Sequence, residues 1–432
     1  MKQFDSAGVD KSSLRISYLF PQFPVLTEVF AVSDILALRA QGHQVVVHTV
    51  KPRRIDEPKR LRTCGVAGDI PIHRPSLRGV MRWPITVWKM RSQASYLLCQ
   101  VIKRGKGAPA TVLTALLSIP RVLEIAEEIR EFDADIVHVF WSRHAGMVLP
   151  ILDRLGSRST RSAFVGAYDL VASDFLVDMA LGGSEVAFSH AETNRAYLES
   201  KVPRSIPVKI VHRGIPLMSL DASIIRDPAL WLTASSLTLS KNVEAVLRTF
   251  ALARRSRPDS TLVIFGEGPD RSRLEQCSHE LGCSGAVRFG GHVEREQLFR
   301  HMQQAAVFLM LSKKPSERLP NVVKEALWAG CSVISSKSEG IEELLPDSGI
   351  GQVIDPDDAR AVADAVRSVL SETPDEAGRR RLRARKFITE RFSSERSMRE
   401  YVTAWRAAMY PELPGAAQAA GDVGASDFEV AG

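Results

Sequence analysis

One stretch constrains this chain more than any other. Val307 to Leu345 runs VFLMLS, then KKPSERLPNVVKEALWAG, then CSVISSKSEGIEELL. It reads as strand, loop, helix, strand, loop, helix. The apolar run Val307–Leu311 is short enough to be a buried strand. Pro320 suits the first turn of a helix, where its missing N–H costs nothing. Gly330 stands where that helix has to stop. Glu317 lies in the loop, and Glu325 follows after seven intervening residues, in the second helical turn.

That spacing bears on chemistry. Ligands of an open parallel sheet sit beyond the carboxyl ends of its strands, where helix N-termini point. A loop carboxylate and a helix carboxylate there accept hydrogen bonds from sugar or ribose hydroxyls. Backbone N–H groups near Pro320–Val322 face an anion. On spacing alone, a surface glutamate and a helix-face glutamate without any ligand is the commoner case.

Composition narrows the class. At 432 residues the chain holds two domains with full cores. Hydrophobic content of 45% and charged content of 25% are those of an ordinary globular protein. Cys64, Cys99, Cys277, Cys283 and Cys331 make no zinc spacing, and a reducing cytosol is the simplest compartment. No apolar run reaches transmembrane length. The net charge of +7 is uneven. Between Asp69 and Glu124 no acidic residue occurs, while the span holds nine Lys and Arg. An anionic partner is implied, a membrane surface or a nucleic acid.

In chain order, strand candidates at Leu14–Phe20 and Gln44–Val50 flank a helix that ends near Gln41. After the basic segment come a helix (Arg121–Glu131), a strand (Asp135–Phe140), another helix, and strands at Ser162–Val165, Glu185–Ser189 and Val208–His212. The second half opens with the strand Ala229–Ala234 and a helix that starts near Lys241. TLVIFGEGPDRSRLE then gives a strand, a Gly-rich turn at Gly266 and Gly268, and a helix. AVRFGGHV follows as strand and loop. Strands alternating with helices argue two doubly wound parallel sheets, an α/β class. From Pro411 the tail turns to Pro, Gly and Ala and is expected to be disordered.

The segment PSERLPNVVKEALWAGCSVISSKSEGIEELL resembles the donor-binding signature of glycosyltransferase family 4, retaining enzymes of the GT-B fold. The resemblance implies two Rossmann-like domains facing a central cleft. It assigns residues 1–218 and a returning helix at 396–410 to the acceptor side, and 219–395 to the nucleotide-sugar side. It implies that Glu317 and Glu325 bracket the nucleotide-sugar, helped by Arg318, Leu319, Pro320 and Asn321. Lys241 matches the family's diphosphate-holding Lys, while Ser236 stands where its Arg would be. Gly266, Gly268, His292 and Val293 fall on loops that touch the nucleotide. Asp169 ends a run similar to a family segment at the cleft, whose His is replaced near Gly166. His144 is a further candidate for that cleft, although a lone His beside an apolar strand is more often a satisfied core residue. Arg318 replaces the family's usual Gly, either crowding the sugar or supplying the missing cation.

The implied activity moves a sugar from a nucleotide-sugar to a glycan or lipid-linked acceptor, in polysaccharide or glycolipid biosynthesis, with no metal or other cofactor. The rivals are a non-catalytic nucleotide-sugar-binding protein and a sugar-nucleotide epimerase of the same fold. Nucleic-acid binding ranks last, since residues 74–106 carry no recognised module. Within those residues Trp83, Val87, Met90, Ala94, Leu97, Leu98 and Val101 follow helical steps, with Trp83 before Pro84 as the start. The expectation is that this face docks on an anionic membrane, with packing on the first domain's sheet as the alternative. A cytoplasmic protein at the inner face of the cell membrane is then expected.

Overall fold

The computed structural model describes residues 13–25, 29–54, 56–57, 70–166, 169–170, 174–313 and 317–411. The end of the loop at Phe20–Glu28, Cys64 and the tail beyond Pro411 fall outside the described residues. The chain divides into two compact units. The first comprises residues 1–190, 194–211 and 398–432, the second 191–193 and 212–397.

The first unit is built in order from β1 (Arg15–Phe20), α1 (Val29–Ala40), β2 (Gln44–Thr49), β3 (Ile72–His73), α2 (Leu77–Lys89), α3 (Arg91–Arg104) and α4 (Pro109–Phe132). Then come β4 (Ile136–Phe140), α5 (Val148–Arg154), β5 (Thr160–Phe164), α6 (Phe175–Gly182), β6 (Val186–Ser189), α7 (Arg195–Lys201) and β7 (Val208–Ile210). The strands form one parallel sheet in the order β3-β2-β1-β4-β5-β6-β7. β4 is buried at every position, as expected of a central strand covered on both faces.

The second unit holds β8 (Asp227–Ala234), α8 (Val243–Ser256), β9 (Thr261–Phe265), α9 (Arg271–Glu280), β10 (Val287–Gly291), α10 (Arg295–Gln304) and β11 (Ala305–Met310). It continues through α11 (Asn321–Ala329), β12 (Ser332–Ser336), β13 (Gln352–Ile354), α12 (Ala359–Ser371) and α13 (Pro374–Phe392). Its parallel sheet runs β10-β9-β8-β11-β12-β13. The last helix, α14 (Ser394–Met409), carries Met398, Tyr401 and Trp405 into the core of the first unit, where Trp405 Nε1 donates to Ser162 Oγ at 2.9 Å.

The basic segment departs from expectation. The helix read at Arg121–Glu131 extends back to Pro109, and α2 and α3 precede it. α2 does not begin at Trp83: Ser76 caps it, its Oγ accepting from Gly79 N–H, and Pro84 lies inside it. The face drawn through Trp83, Val87, Met90, Ala94, Leu97 and Val101 turns inward. Met90, Leu97 and Val101 are buried in the first unit's core, and Val87 and Ala94 pack against it. The membrane assignment of that face is therefore wrong. Packing on the domain accounts for those residues, and only Leu98 of the seven is exposed.

Candidate functional site

The second sheet reverses its winding between β8 and β11, because β9 and β10 lie to one side and β12 and β13 to the other. At such a switch point the loops leaving two adjacent strands diverge and leave a crevice. The loops concerned are those after β8, through Ser235–Asn242, and after β11, leading to Glu317. Ser312 Oγ and Lys313 N–H both donate to Ser240 O, at 3.1 and 2.9 Å. Lys241 Nζ donates to Glu317 Oε1, each side chain 16% exposed. Glu317 Oε2 is buried and accepts no hydrogen bond among the described residues.

The second glutamate has a cation of its own. Arg295, at the first position of α10, donates from Nε and Nη2 to Glu325 Oε1 at 2.9 and 2.7 Å. Each acid of the E-x7-E spacing thus holds one base. Arg295 did not emerge from the sequence reading, although a cation opening a helix opposes the dipole, the same signal that singled out Lys241.

Between the two glutamates the chain turns sharply. Leu319 has φ of +48°, a left-handed conformation unusual for a residue with a Cβ. The strain therefore sits one residue beyond Arg318, where the resemblance expects Gly. Leu319 is buried, its side chain in the unit's core, so only its backbone is open to a ligand. Pro320 is the N-cap of α11 and not part of its first turn, and no side chain caps that end. The first N–H groups of a helix have no intrahelical partner, so those of Asn321 and Val322 are available to an anion. Asn321 Oδ1 accepts from Lys324 Nζ at 3.1 Å. Lys324 is itself buried and donates to Arg213 O at 2.7 Å. Arg318 Nη2 pairs with Glu339, so its charge is already engaged.

The two glycines of the Gly-rich turn have a packing reason. A Cβ on Gly266 (φ +124°) would lie 1.8 Å from Ser235 O, and one on Gly268 2.2 Å from Leu237 O. Only bare backbone lets this turn lie against the loop after β8, where Leu237 N–H donates to Glu267 O at 2.9 Å. His292 is exposed, and Val293 packs against the core. Glu343, in the trailing G-I-x-E-L match, ties other segments together. It accepts from His212 Nε2 at 2.8 Å and from Glu192 N–H at 3.0 Å. Burial opposes its charge, but these bonds hold its carboxyl below the usual range. A cavity of about 630 Å³ opens near Ser332 and Gln352, the first residues of β12 and β13, at the opposite end of the sheet. Its Arg380 and Arg383 are paired with Glu372 and Asp347.

Asp169 and His144 lie in the first unit. Asp169 is buried, and its Oδ2 accepts from Gly166 N–H at 3.1 Å, closing its own turn. His144 follows β4 and hydrogen-bonds Thr114 Oγ1 at 3.0 Å, and burial lowers its pKa. His138 is a core residue, against Ser162 Oγ at 2.8 Å and edge-on to Tyr18. His48, His73 and Glu128 bring ligand-type atoms within 4.8 Å of one another. Arg121 donates to Glu128 at 2.7 Å, however, so the group reads as an ion-pair network.

Comparison with known proteins bears on the family and the fold. The lipopolysaccharide core biosynthesis glycosyltransferase LpsE of Rhizobium meliloti is 31% identical over 115 residues, 27% of this chain and 33% of that protein. A GDP-mannose-dependent alpha-(1-6)-phosphatidylinositol monomannoside mannosyltransferase of Mycolicibacterium smegmatis is 31% identical over 143 residues, 32% of this chain and 37% of that one. The chain thus spans about a third of the length of these curated relatives. Among solved structures, Anabaena Alr3699/HepE in complex with UDP and glucose superposes with TM-score 0.62 at 14% identity, covering 91% of this chain and all (100%) of that one. Sucrose-phosphate synthase from Thermosynechococcus elongatus gives 0.63 at 17% identity, covering 92% and 100%. At such identities the likeness speaks to the fold alone. Residues 221–387 match the family described as Glycosyl transferases group 1, and the chain as a whole carries the two-domain GT-B fold.

Proposed function

We propose that this chain is a retaining glycosyltransferase of the family 4 type, moving a sugar from a nucleotide-sugar to a glycan or lipid-linked acceptor. The observation that carries the reading is the pairing of Glu317 with Lys241 and Glu325 with Arg295 within the matched segment. A leaving diphosphate develops charge that fixed cations and helix N–H groups stabilise. Lys241 and the N–H groups of Asn321 and Val322 serve that charge. A diphosphate that takes over Lys241 releases Glu317 to accept hydrogen bonds from sugar hydroxyls. Glu325, oriented by Arg295, accepts from a hydroxyl of the nucleotide's ribose. Arg295 is engaged by Glu325 and Arg318 by Glu339. No step in this scheme calls for a metal.

UDP- and GDP-named proteins both occur among the similar ones, so the donor base is best approached by experiment. Thermal melting with a panel of UDP-, GDP- and ADP-sugars identifies the donor, since a ligand bound only by the folded state raises Tm. Nucleotide release that requires an added acceptor is the expected result. Consumption without acceptor would favour an epimerase or hydrolase, and binding without turnover a non-catalytic binder.

A further inference from the structure

The basic helices have a second apolar face, and it looks outward. On α2 the inner side is held by α4: Trp83 Nε1 donates to Glu124 at 3.1 Å, and Gly79 and Thr86 are buried. On the opposite side Leu77, Met81, Ile85 and Trp88 recur at steps of four, four and three, exposed by 84, 76, 56 and 69%. Leu98 and Ile102 of α3 are exposed one turn apart, as are Leu113 and Leu117 of α4. Among the described residues, nine of the fourteen exposed large apolar ones lie between Leu77 and Leu117. A soluble surface scatters such residues singly, and concentrating them marks an interaction site.

The charges that α2 itself places beside this face are of one sign. At 100° per residue, Arg78, Arg82 and Lys89 border the stripe of Met81, Ile85 and Trp88 on one side. Among the described residues, none of these three cations forms an ion pair, nor do Lys103 and Lys106 at the end of α3. Arg91 lies over the Trp88 ring, 5.8 Å from its centre. The nearby acids belong to the later half of α4. Glu124 bonds Trp83 and Arg121, Glu128 bonds His48 and Arg121, and Glu127 and Glu131 border a groove shared with Arg82 and Lys89.

We infer that this outer face of α2, with the exposed turns of α3 and α4, docks the protein on an anionic lipid bilayer. An apolar stripe edged by Lys and Arg suits the boundary between acyl chains and acidic headgroups. A second copy of the chain is a poor occupant, because like charges would meet uncompensated. A nucleic acid needs the cations but gains nothing from Leu77, Met81, Ile85 and Trp88. The association is peripheral. Contrary to the expectation that no apolar run is long enough, α4 has the length and hydropathy of a membrane-crossing helix, but its Ile119, Val122, Ile125 and Ile129 pack in the first unit's core. The inference is independent of the transferase reading.

The test is co-sedimentation of the full chain with phosphatidylcholine vesicles, with and without phosphatidylglycerol, at low and high salt. Strong binding to phosphatidylglycerol vesicles, weakened by salt, is expected. The triple variants Met81→Ser/Ile85→Ser/Trp88→Ser and Arg78→Gln/Arg82→Gln/Lys89→Gln should each lose roughly tenfold or more of that binding. Their Tm and donor-induced thermal shift should stay unchanged, since these side chains are exposed and belong to the first unit, whereas the donor loops belong to the second. Three results overturn the inference: no binding at low salt, equal binding to neutral vesicles, or parental binding by the serine variant. Self-association abolished by the serine variant, without vesicle binding, would assign the face to a second copy instead.

Discussion

Arg295 directs two donors at a single oxygen of Glu325, Nε at 2.9 Å and Nη2 at 2.7 Å, from the first residue of one helix to the second turn of another. A charge-assisted contact of this kind fixes orientation as well as charge. Glu325→Gln and Arg295→Gln should each lower kcat/KM for the donor by about 10- to 100-fold, or about 1.4–2.7 kcal/mol. The double variant should be no worse than the poorer single one, since both act through one contact. Additive losses would mean that the two residues work separately.

Lys241→Ala should lower turnover by a similar order, about 100-fold, because it removes a cation facing the developing diphosphate charge. Tm should change little, the side chain lying outside the core. Because the scheme rests on Lys241 and helix N–H groups, EDTA should leave the parental rate unaltered. A rate that falls with EDTA and returns with a divalent cation would refute this part of it.

Arg318 tests whether its charge or its bulk matters. Pairing with Glu339 keeps it at the loop, next to the left-handed Leu319. Arg318→Gly should reduce turnover several-fold if the guanidinium passes from Glu339 to the diphosphate. A faster glycine variant would show that the side chain merely crowds the donor. Glu339→Gln separates the two cases, since freeing Arg318 should then raise donor affinity.

The network around His48 predicts an acid-sensitive first unit. Its Nδ1 lies 2.8 Å from Glu128, and burial lowers its pKa from the ordinary 6.5. Between that value and its lowered folded one, the unfolded chain binds the proton and the native state does not. Stability is therefore present above pH 6.5 and declines as pH falls below it. Glu128 adds to the same trend at lower pH. Burial raises its pKa, but hydrogen bonds from His48, His73 and Arg121 hold it well below the carboxylate range. Its contribution is lost as pH falls below the ordinary 4.5. Tm should fall from pH 7 to pH 5, and His48→Gln should flatten that slope. An unchanged slope would place the acid sensitivity elsewhere.

Much of the second unit was legible in its sequence. The apolar runs, Gly330 and the alternation of strands with helices placed β11, α11 and β12 to within a residue or two, but the helix expected over the G-I-x-E-L match is only a short 3-10 turn at Ile341–Glu343. Lys241 stood out as a cation at a helix start. Gly266 and Gly268 were visible as a turn, but their reason was not. It is the backbone of Ser235 and Leu237, about thirty residues earlier, brought beneath them by the parallel pairing of β8 with β9.

The sequence by itself determined local matters: where strands and helices form, where they stop, and which residues carry charge. Tertiary structure alone decided which charges meet. Lys241 reaches Glu317 because β8 and β11 are neighbours in the sheet, and Arg295 reaches Glu325 because α10 and α11 pack on each other. It also chose between two apolar faces on the basic helices. Periodicity marks both Trp83–Val87–Met90 and Leu77–Met81–Ile85–Trp88, since a helix with two apolar stripes satisfies the same spacing twice. Only the fit of α4 against one stripe shows which is core and which is surface. Periodicity tells how residues group on one element, while burial depends on what the rest of the chain brings up against it.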